Sequence, residues 1–547
     1  MNDSSNARRD VWLRLAWGAA FAVAAGIQLS RFLLWNPLDL VRCGLLTDDA
    51  FFYSVLAKQF LQHGILTLDG EMPTNGVQPL WMLLQILLQR SFPGADSLKL
   101  LAVLSWGCYV VFAFLAGWFI GGKKGSLPAQ AALAAVLAAY ILNPGFQSIA
   151  VKGLEVPLAL GAVMLTLLSL SRLEGEAVRR LSPLRAGGLG VLAAVCFFCR
   201  TDLFWVGLVV GLWLAWKAPR ASALVFGAVL TLAVAPYLTA NILTQGSVMP
   251  ISGRVKLHYL NAFYPTWAGY FRSDEWQGWF HAFAAPLPWL ERASTAVKAG
   301  VTLAVAAGAC WWIWKRREVT AGFRVFSLAI ILHALYMHVF YRELRVYTAY
   351  YFLPEILWVL VTAGSALWAW LDSNRNRAAG KVRLWAAAAV CAALSGAVIW
   401  NASGRRVEPL PYWVERLNLA RDIERIVPAS EPVGAFWPGC FAQFSQRRVI
   451  PLDGVAGSDQ YFRQFVQTGR ELDYLTAKNG RYLALYLPEE PTRLMAEKPL
   501  VLENWSHLGL QRLRDFQGTW EVAAFRPLND QGAGWYLFKL SPANPVE

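Results

Sequence analysis

The 547-residue sequence has few charged residues and few cysteines. Only 16% of its residues are Asp, Glu, Lys or Arg, whereas 56% are hydrophobic and the mean hydropathy is +0.37. A soluble multidomain protein carries more charge, and a disordered chain does not contain 26 Trp, 30 Phe and 18 Tyr. Seven cysteines are too few for a disulfide-stabilised scaffold of this length. The composition therefore indicates a polytopic membrane protein.

The apolar runs predict about eleven membrane-spanning helices, each about one bilayer long or somewhat shorter. No such run occurs beyond residue 403. The run at 79–120 is interrupted near Pro93 and is counted as one passage, in which 79–92 is partly buried or steeply tilted. The runs are 11–35, 79–120, 126–143, 156–172, 187–200, 203–216, 221–243, 297–314, 323–341, 349–370 and 384–401.

The net charge of +14 comes mostly from basic clusters between the apolar runs. If Arg8, Arg9 and Arg14 keep the N-terminus in the cytoplasm, every second loop is basic and the loops between them are nearly free of Lys and Arg. This alternation predicts contact with phospholipids rather than with nucleic acid. It also places the end of the chain outside the cytoplasm.

Two domains are expected, and the first is a transmembrane module at 1–402 with outer loops at 36–78, 144–155, 244–296 and 342–348. The second, at 403–547, is a small extracytoplasmic α/β domain. Apolar residues at helical spacing predict a helix at 411–427, among polar neighbours. Strand-like runs rich in aromatic and β-branched residues follow it at 433–437, 449–452, 482–487, 520–525 and 535–540.

The first outer loop contains two adjacent carboxylates, Asp48 and Asp49, at the start of a helix predicted to run to about Gln62. One explanation is structural, because acidic groups at a helix N-terminus cap free amides and favour the positive end of the helix dipole. The other is catalytic. Adjacent helical residues diverge by about 100°, so one carboxylate can face a substrate while its neighbour caps or orients.

Several short motifs resemble those of the polyprenyl-phosphate-sugar-dependent glycosyltransferases of the GT-C fold, in particular a bacterial branch of arabinofuranosyl-, aminoarabinose- and mannosyl-transferases. TDDAFFY at 47–53 is similar to the acidic motif of the family's first outer loop, and TNGVQPLW at 74–81 to the segment that closes this loop. Leu154 stands where members usually carry Met. The other similar motifs are Asn143-Pro144, Gly153-Leu154-Glu155, Arg200-Thr201-Asp202, PISGRVK at 250–256 and Asp453-Gly454.

The resemblance implies transfer of a sugar from a polyprenyl-phosphate donor to a glycan, lipid or protein outside the bacterial inner membrane. Transfer to a hydroxyl needs a carboxylate that takes the acceptor proton. Asp49, in preference to Asp48, is predicted to be this base. Glu155 is predicted to be a further acidic residue of the site, with pairing to Lys152 as the structural alternative.

The departing lipid phosphate needs fixed cations near the outer membrane surface. Arg254 with Lys256 would share one face of an extended segment, and Arg342 with Arg345 would share one face of a helix. A solvated loop is the alternative for the first pair and interface anchoring for the second. Arg200 and Asp202 are expected to neutralise each other.

No cofactor is predicted with certainty. A divalent cation is possible at His63, His258 and the acidic residues, although no fixed ligand spacing supports such a site. His333 and His338 lie in an apolar run and are expected to form hydrogen bonds to neighbouring helices. The alternative functions are a transporter or flippase of a lipid-linked sugar, for which no internal repeat is found, and a membrane-anchored binding module.

Overall fold

The computed structural model describes residues 2–123, 126–263, 280, 284, 290, 292–316, 319–340, 350–373, 385–386, 388–393, 395–397, 399, 407–496 and 505–542. The chain forms two compact units, each built from three separate segments. The first unit comprises Met1–Leu34, Val103–Val234 and Tyr270–Arg406, and the second comprises Trp35–Ala102, Ala235–Gly269 and Val407–Glu547.

The described part of the chain before residue 407 is mainly helical. Several helices begin with Pro in the first turn, where the missing N–H group costs no intrahelical bond. The helices are Asn2–Leu33, Pro37–Arg42, Asp48–His63, Pro79–Ser91, Ser97–Gly121, Leu127–Ile141, Pro144–Ala150, Val156–Leu170, Glu176–Arg179, Pro183–Cys199, Phe204–Lys217, Arg220–Gln245, Ile251–Phe263, Thr295–Lys315, Ala321–Phe340 and Leu353–Ser373, with a 3₁₀ turn at Thr201–Leu203.

Five helices of the described residues are long and apolar enough to cross a membrane, so the chain is an integral membrane protein. A sixth span is possible at Leu127–Ile141 with Pro144–Ala150, which are bent by 57°. The expected count of about eleven is not confirmed, because several apolar runs form helices of 13 to 17 residues, shorter than a bilayer. The five are Arg9–Ser30, Ser97–Gly121, Arg220–Gln245, Thr295–Lys315 and Tyr350–Ser373.

Helices of the first unit approach each other closely at small residues. A Cβ atom on Gly117 would lie 2.3 Å from the carbonyl oxygen of Trp17, and one on Gly322 would lie 1.9 Å from that of Leu170. Such contacts let backbones pack where lipid provides no hydrophobic driving force between helices. The hydroxyl of Tyr109 also donates to the carbonyl of Ile141 at 2.7 Å.

The second unit contains a five-stranded mixed sheet at the positions that the sequence predicts. The strands are β1 Val433–Ala435, β2 Val449–Pro451, β3 Tyr482–Leu487, β4 Gly518–Pro527 and β5 Gly534–Pro542, in the order β2-β1-β3-β5-β4. Strand β1 pairs in parallel with β2 and β3, whereas β5 pairs antiparallel with β3 and β4. The small C-terminal α/β part of the expected fold is therefore confirmed. Its helices are Pro411–Ile426, Gly439–Phe444, Asp459–Tyr461, Glu471–Ala477, Pro491–Ala496 and Trp505–Asp515, with a π-helical turn at Phe462–Val466.

The predicted amphipathic helix, Pro411–Ile426, covers one face of this sheet. Leu419 and Ile423 are fully buried in the same apolar cluster as Val433 of β1 and Trp535 of β5. On the sheet side Arg526 donates to Asp422 of this helix with Nε and Nη2, at 2.6 and 2.8 Å. The helix is thus fixed to the sheet, and this fixes the side chains on its buried face.

Within the second unit the first outer loop packs against the C-terminal domain. The amide of Leu410 donates to the carbonyl of Arg42 at 2.8 Å. Glu71 forms ion pairs with Arg448 at 2.6 Å and with Lys478 at 2.7 Å. Segments more than 350 residues apart in sequence therefore form one unit, so a site can be built from all of them.

Candidate functional site

The helix Asp48–His63 presents the two adjacent carboxylates of the first loop. Thr47 is its N-cap residue, in an extended conformation without a side-chain capping bond. The helix ends at His63, followed by Gly64 with a φ of 76°, a left-handed conformation that favours glycine. The predicted helix is confirmed, one residue longer than expected.

Asp48 is buried and its carboxylate is held by three donors. Nη2 of Arg416 donates to Oδ1 at 2.6 Å, the amide of Cys440 donates to Oδ1 at 2.7 Å, and the amide of Gly439 donates to Oδ2 at 3.3 Å. Burial raises the pKa of Asp48, whereas Arg416 and the Cys440 amide oppose this rise. A Cβ atom on residue 439 would lie 2.3 Å from the carbonyl oxygen of Asp48, so glycine is required at 439.

Arg416, which sequence reasoning missed, is the cation that holds Asp48. It is 1% exposed and lies against the indole rings of Trp413 and Trp535, with its Cζ atom 5.4 and 4.6 Å from their centroids. It also donates to the carbonyl of Trp437 at 2.5 Å. A signal was present in the sequence, because position 416 shares the apolar face of the helix with 413, 420 and 423.

Asp49 is partly exposed, in contrast to its buried neighbour Asp48. The two residues are adjacent in the helix, and each residue turns the helix by about 100°, so their side chains diverge by this angle. Asp49 lies within electrostatic range of Asp48 and of Asp453. The structure thus distinguishes the two adjacent carboxylates, because Asp48 is buried and held by three donors whereas Asp49 is partly exposed.

Asp453 is a third carboxyl group in this region. It follows β2 in a turn where Gly454 has a φ of 74° and the amide of Leu452 donates to the carbonyl of Ala435 at 2.9 Å. The sequence motif included Asp453, but the site prediction omitted it. Its position directly after a strand-like run and before glycine was the available signal.

The TNGVQPLW segment holds parts of the second unit together. Asn75 donates to the side chain of Asn241 at 3.0 Å and accepts from the amide of Ile251 at 2.9 Å. A Cβ atom on residue 76 would lie 2.2 Å from the carbonyl oxygen of Val455, so only glycine permits this approach. The amide of Gln78 donates to the hydroxyl of Tyr53 at 3.1 Å, which links the two motifs of the first loop directly.

The segment that carries Arg254 and Lys256 is helical, so the expected extended arrangement is wrong. In the helix Ile251–Phe263 the two side chains diverge by about 200°. Arg254 forms an ion pair with Asp459, donates to the carbonyl of Gln245 at 3.3 Å and lies over the ring of Phe462. Lys256 lies within electrostatic range of Asp453.

Arg342 and Arg345 lie outside the described residues, and the predicted phosphate contacts at these positions stay predictions. The aromatic loop after Phe263 is also mostly outside them. Among the described residues no group of three or more His, Cys, Asp or Glu side chains is placed to hold a metal ion.

The first unit contains a separate buried cluster of charged side chains. Arg200 contacts Asp202 with Nη2 at 2.5 Å and with Nε at 3.1 Å, which confirms their expected pairing. His333 lies with Nδ1 2.5 Å from Glu355 on the helix Leu353–Ser373, and with Nε2 3.6 Å from Asp202. The expected hydrogen bond from His333 to a neighbouring helix is therefore confirmed.

Glu155 is buried at the start of the helix Val156–Leu170 and lies within electrostatic range of Arg200. The guanidinium of Arg200 is 4.7 Å from the ring centroid of Tyr351. Glu155 thus belongs to the charged cluster of the first unit, and its role in catalysis stays a prediction.

Structural comparison identifies the fold. The chain superimposes on the apo form of the Archaeoglobus fulgidus oligosaccharyltransferase with a TM-score of 0.50 and 14% identity, covering 96% of this chain and 75% of that one. For ArnT from Cupriavidus metallidurans bound to undecaprenyl phosphate, the TM-score is 0.46 and the identity 12%, covering 97% of this chain and 99% of that one. No protein-family profile matches the sequence, and no curated protein matches it. The GT-C fold is confirmed.

Proposed function

We propose that the protein is a membrane glycosyltransferase that moves a sugar from a polyprenyl-phosphate donor to an extracytoplasmic acceptor, a cell-envelope glycan, lipid or protein. The shared fold and the motifs of the first loop support this class of reaction. The observation that carries the proposal is that two adjacent carboxylates have different surroundings. Asp48 is buried and fixed by Arg416 and two amides, whereas Asp49 is partly exposed, and we assign the proton transfer to Asp49.

In this reaction the acceptor hydroxyl oxygen attacks the anomeric carbon of the donor sugar while its proton passes to Asp49. The bond between the anomeric carbon and the phosphate oxygen breaks, and polyprenyl phosphate leaves with both bonding electrons. Asp48 holds the first turn of the helix in place and is a positioning residue. This arrangement is the usual division of labour between a general base and the groups that orient it.

We assign the donor phosphate to the side of the helix Ile251–Phe263 that carries Lys256. Lys256 lies within electrostatic range of Asp453. Arg254 lies on another side of the helix and is engaged by Asp459. A cation near the departing phosphate oxygen stabilises the charge that develops there. Arg342 and Arg345 are further candidates, and Glu155 is a candidate for a second acidic role.

The alternating basic loops predict a C-terminal domain outside the cytoplasm, and the resemblance to a bacterial branch of the family implies the bacterial inner membrane. Alkaline phosphatase fused after Glu547, which is active only outside the cytoplasm, is therefore expected to be active. An active cytoplasmic reporter at the same position would contradict this orientation and the assignment of the acidic site to the outer face.

The central test compares Asp49→Asn and Asp48→Asn in purified protein. The donors are undecaprenyl phosphates carrying labelled pentoses or hexoses, and the acceptor is an envelope extract. Asp49→Asn removes the base, so we expect a loss of turnover of about 100- to 10,000-fold with an unchanged thermal midpoint. Asp48→Asn exchanges a buried, triply bonded carboxylate for an amide, so we expect it to lower the thermal midpoint as well.

Glu521→Gln is the matched control, because Glu521 is an exposed carboxylate of the same unit whose side chain is 69% exposed. We expect it to keep wild-type turnover. Wild-type turnover in Asp49→Asn would remove the proposed base. Failure of the wild-type protein to transfer any of the labelled sugars, together with their movement across vesicle membranes, would instead support a flippase.

A further inference from the structure

His333 lies between two buried carboxyl groups of the first unit, and it is itself only 1% exposed. Nδ1 of its ring is 2.5 Å from Oε1 of Glu355, and Nε2 is 3.6 Å from Oδ2 of Asp202. Glu355 is in the first turn of the helix Leu353–Ser373, and Asp202 is in the 3₁₀ turn Thr201–Leu203. Each ring nitrogen of His333 therefore faces a carboxyl oxygen from a different segment of the chain.

The contact between His333 and Glu355 requires a proton between Nδ1 and Oε1. Without this proton, a nitrogen lone pair would face an oxygen lone pair at 2.5 Å. Imidazole is a stronger base than a carboxylate, so we place the proton on the ring. A neutral ring with its proton on Nδ1 would turn the lone pair of Nε2 toward Asp202. An imidazolium carries an N–H group at each nitrogen and can direct one to each acid.

The charges of the neighbouring residues also favour a protonated His333. Arg200 donates to Asp202 with Nε at 3.1 Å and with Nη2 at 2.5 Å, so these two residues compensate each other. In the part of the chain that the structure describes, Glu355 forms one ion pair, and its partner is His333. A buried carboxylate without a cation is costly. Protonated His333 therefore compensates Glu355 as Arg200 compensates Asp202.

Few other titratable groups lie on the segments that pack against the helix of the imidazole ring. Glu155, which precedes the helix Val156–Leu170, lies within electrostatic range of Arg200, and the ring centroid of Tyr351 is 4.7 Å from the Arg200 guanidinium. Lys217 and Asp372 are in the last turns of their helices, more than about 20 Å along the helix from the charged cluster. Neither of these two distant residues can replace the imidazolium.

We propose that His333 is a buried imidazolium that joins the break between the helices Pro183–Cys199 and Phe204–Lys217 to the helix Leu353–Ser373, and that loss of its proton releases this contact. The proposal goes beyond the proposed function and does not depend on it. Alkaline pH removes the proton, so that a lone pair faces a carboxylate and Glu355 has lost its cation. The contact that holds these segments together at neutral pH is thus a pH-sensitive element of the fold.

The first experiment measures the protonation of the ring nitrogens directly. The full-length protein is labelled with ¹⁵N-histidine and reconstituted in lipid nanodiscs, and its ¹⁵N NMR spectrum distinguishes protonated from unprotonated ring nitrogens. At about pH 8 an exposed histidine is neutral and has one unprotonated nitrogen. We expect one of the six histidines to have two protonated nitrogens at this pH.

Three variants assign this signal. It should be absent from His333→Gln and unchanged in His63→Gln, the matched control, because His63 is an exposed histidine at the end of another helix. In Glu355→Gln the side-chain amide can donate to Nδ1, so the ring needs no second proton. We therefore expect His333 to be neutral in Glu355→Gln at about pH 8.

The second experiment measures thermal midpoints from pH 7 to pH 9. His333→Gln leaves Glu355 without a cation and should lower the midpoint, whereas His333→Gln combined with Glu355→Gln should recover part of the loss. In this pH range the folded wild type holds a proton that the unfolded chain has lost. Its folding equilibrium constant, relative to that of the double variant, should therefore fall about tenfold for each pH unit. A neutral ring with a merely structural role would give a difference that does not change with pH.

The outcomes that would overturn the proposal do not involve sugar transfer. A wild-type spectrum at about pH 8 in which every histidine has an unprotonated ring nitrogen overturns it even if no variant folds. A doubly protonated signal that persists in His333→Gln overturns it as well. If the midpoint difference between wild type and double variant is the same at pH 7 and pH 9, the contact does not depend on the proton. A wild-type protein that transfers no sugar but shows the signal of His333 contradicts the proposed function and leaves the imidazolium in place.

Discussion

Among the described residues, a buried group of charged side chains in the first unit differs from the acidic group around Asp48 in the second unit in how the charges are compensated. In the first unit Arg200, Asp202, His333 and Glu355 form a continuous chain of contacts between helices. In the second unit Asp48 is paired with Arg416, Asp49 is partly exposed, and Asp453 accepts one hydrogen bond from the residues that the structure describes. The first group is organised around charge compensation, whereas the second brings several carboxyl groups into one region.

The difference follows from which partner can change its protonation state. Arg200 stays charged at any physiological pH, so its burial requires a carboxylate beside it. Asp48 and Asp453 can take up a proton when their surroundings disfavour the charge. A buried arginine therefore keeps its acidic partner ionised, whereas a buried acid without such a partner can take up a proton. We expect proton transfer where a carboxyl group can change its protonation state.

The largest expected effect on stability is in the first unit. Asp202→Asn leaves Arg200 and His333 without their shared carboxylate. Breaking one partner of a buried ion pair costs about 3 to 5 kcal/mol in free energy of unfolding. We expect a large drop of the thermal midpoint in detergent micelles, measured by the loss of monodisperse folded protein.

Two further variants serve as controls for Asp202→Asn. Arg200→Met combined with Asp202→Asn removes the uncompensated guanidinium and should recover part of the loss. Glu176→Gln removes an exposed ion pair with Arg180, whose side chain is 80% exposed, and should change the midpoint little. Equal midpoints for Asp202→Asn and Glu176→Gln would show that the buried pair contributes no more than a surface pair.

A smaller loss is expected for Arg416→Met in the second unit. Asp48 keeps its bonds to the amides of Gly439 and Cys440 and can take up a proton, so we expect a cost of about 1 to 3 kcal/mol at neutral pH. Burial raises the pKa of Asp48 in the folded protein above the value of about 3.9 that it has in the unfolded chain. At pH values above about 3.9 the folded variant therefore binds more protons than the unfolded chain. The destabilisation should therefore grow as the pH rises and shrink as it falls.

The measurement is the difference in thermal midpoint between wild type and Arg416→Met from pH 4 to pH 8. Asp48→Asn combined with Arg416→Met is the control, since without the carboxylate the pH dependence of this difference should disappear. If the difference in thermal midpoint is largest at pH 4, the predicted direction of the pH dependence is wrong, and so is the uptake of a proton by Asp48 in the variant.

The smallest effect concerns the donor phosphate. Lys256→Gln removes one cation from a partly hydrated site, so we expect the KM for the polyprenyl-phosphate donor to rise about tenfold, which corresponds to about 1.4 kcal/mol. Lys256→Arg should recover most of this affinity. Arg254→Gln is the comparison, because its loss of the ion pair with Asp459 should lower stability more than donor affinity. If Arg254→Gln lowers donor affinity more than Lys256→Gln does, the phosphate site must be assigned to the side of the helix that carries Arg254.

The sequence predicted much of the fold because its signals are local. Alternating apolar runs and basic loops indicated a membrane protein, and short runs rich in aromatic and β-branched residues located all five strands of the sheet. The span count is not confirmed, because apolar content does not reveal whether a 14-residue helix such as Phe204–Lys217 crosses a bilayer. The extended arrangement at Arg254 was wrong, and the contact between Asn75 and the amide of Ile251 at the start of the observed helix joins segments too far apart for a local pattern to reveal.

The sequence by itself determined the chemistry that is present: an acidic pair after the first span, a closing TNG segment and a GT-C-like order of motifs. Tertiary structure decided which carboxylate is buried and held by donors. Arg416 lies 368 residues from Asp48 and Asp453 lies 404 residues from Asp49 along the chain, so no local pattern relates them. Burial and hydrogen-bond supply depend on which distant segments pack together, and these two quantities set whether a carboxyl group is held by donors, keeps its proton or is positioned to take one.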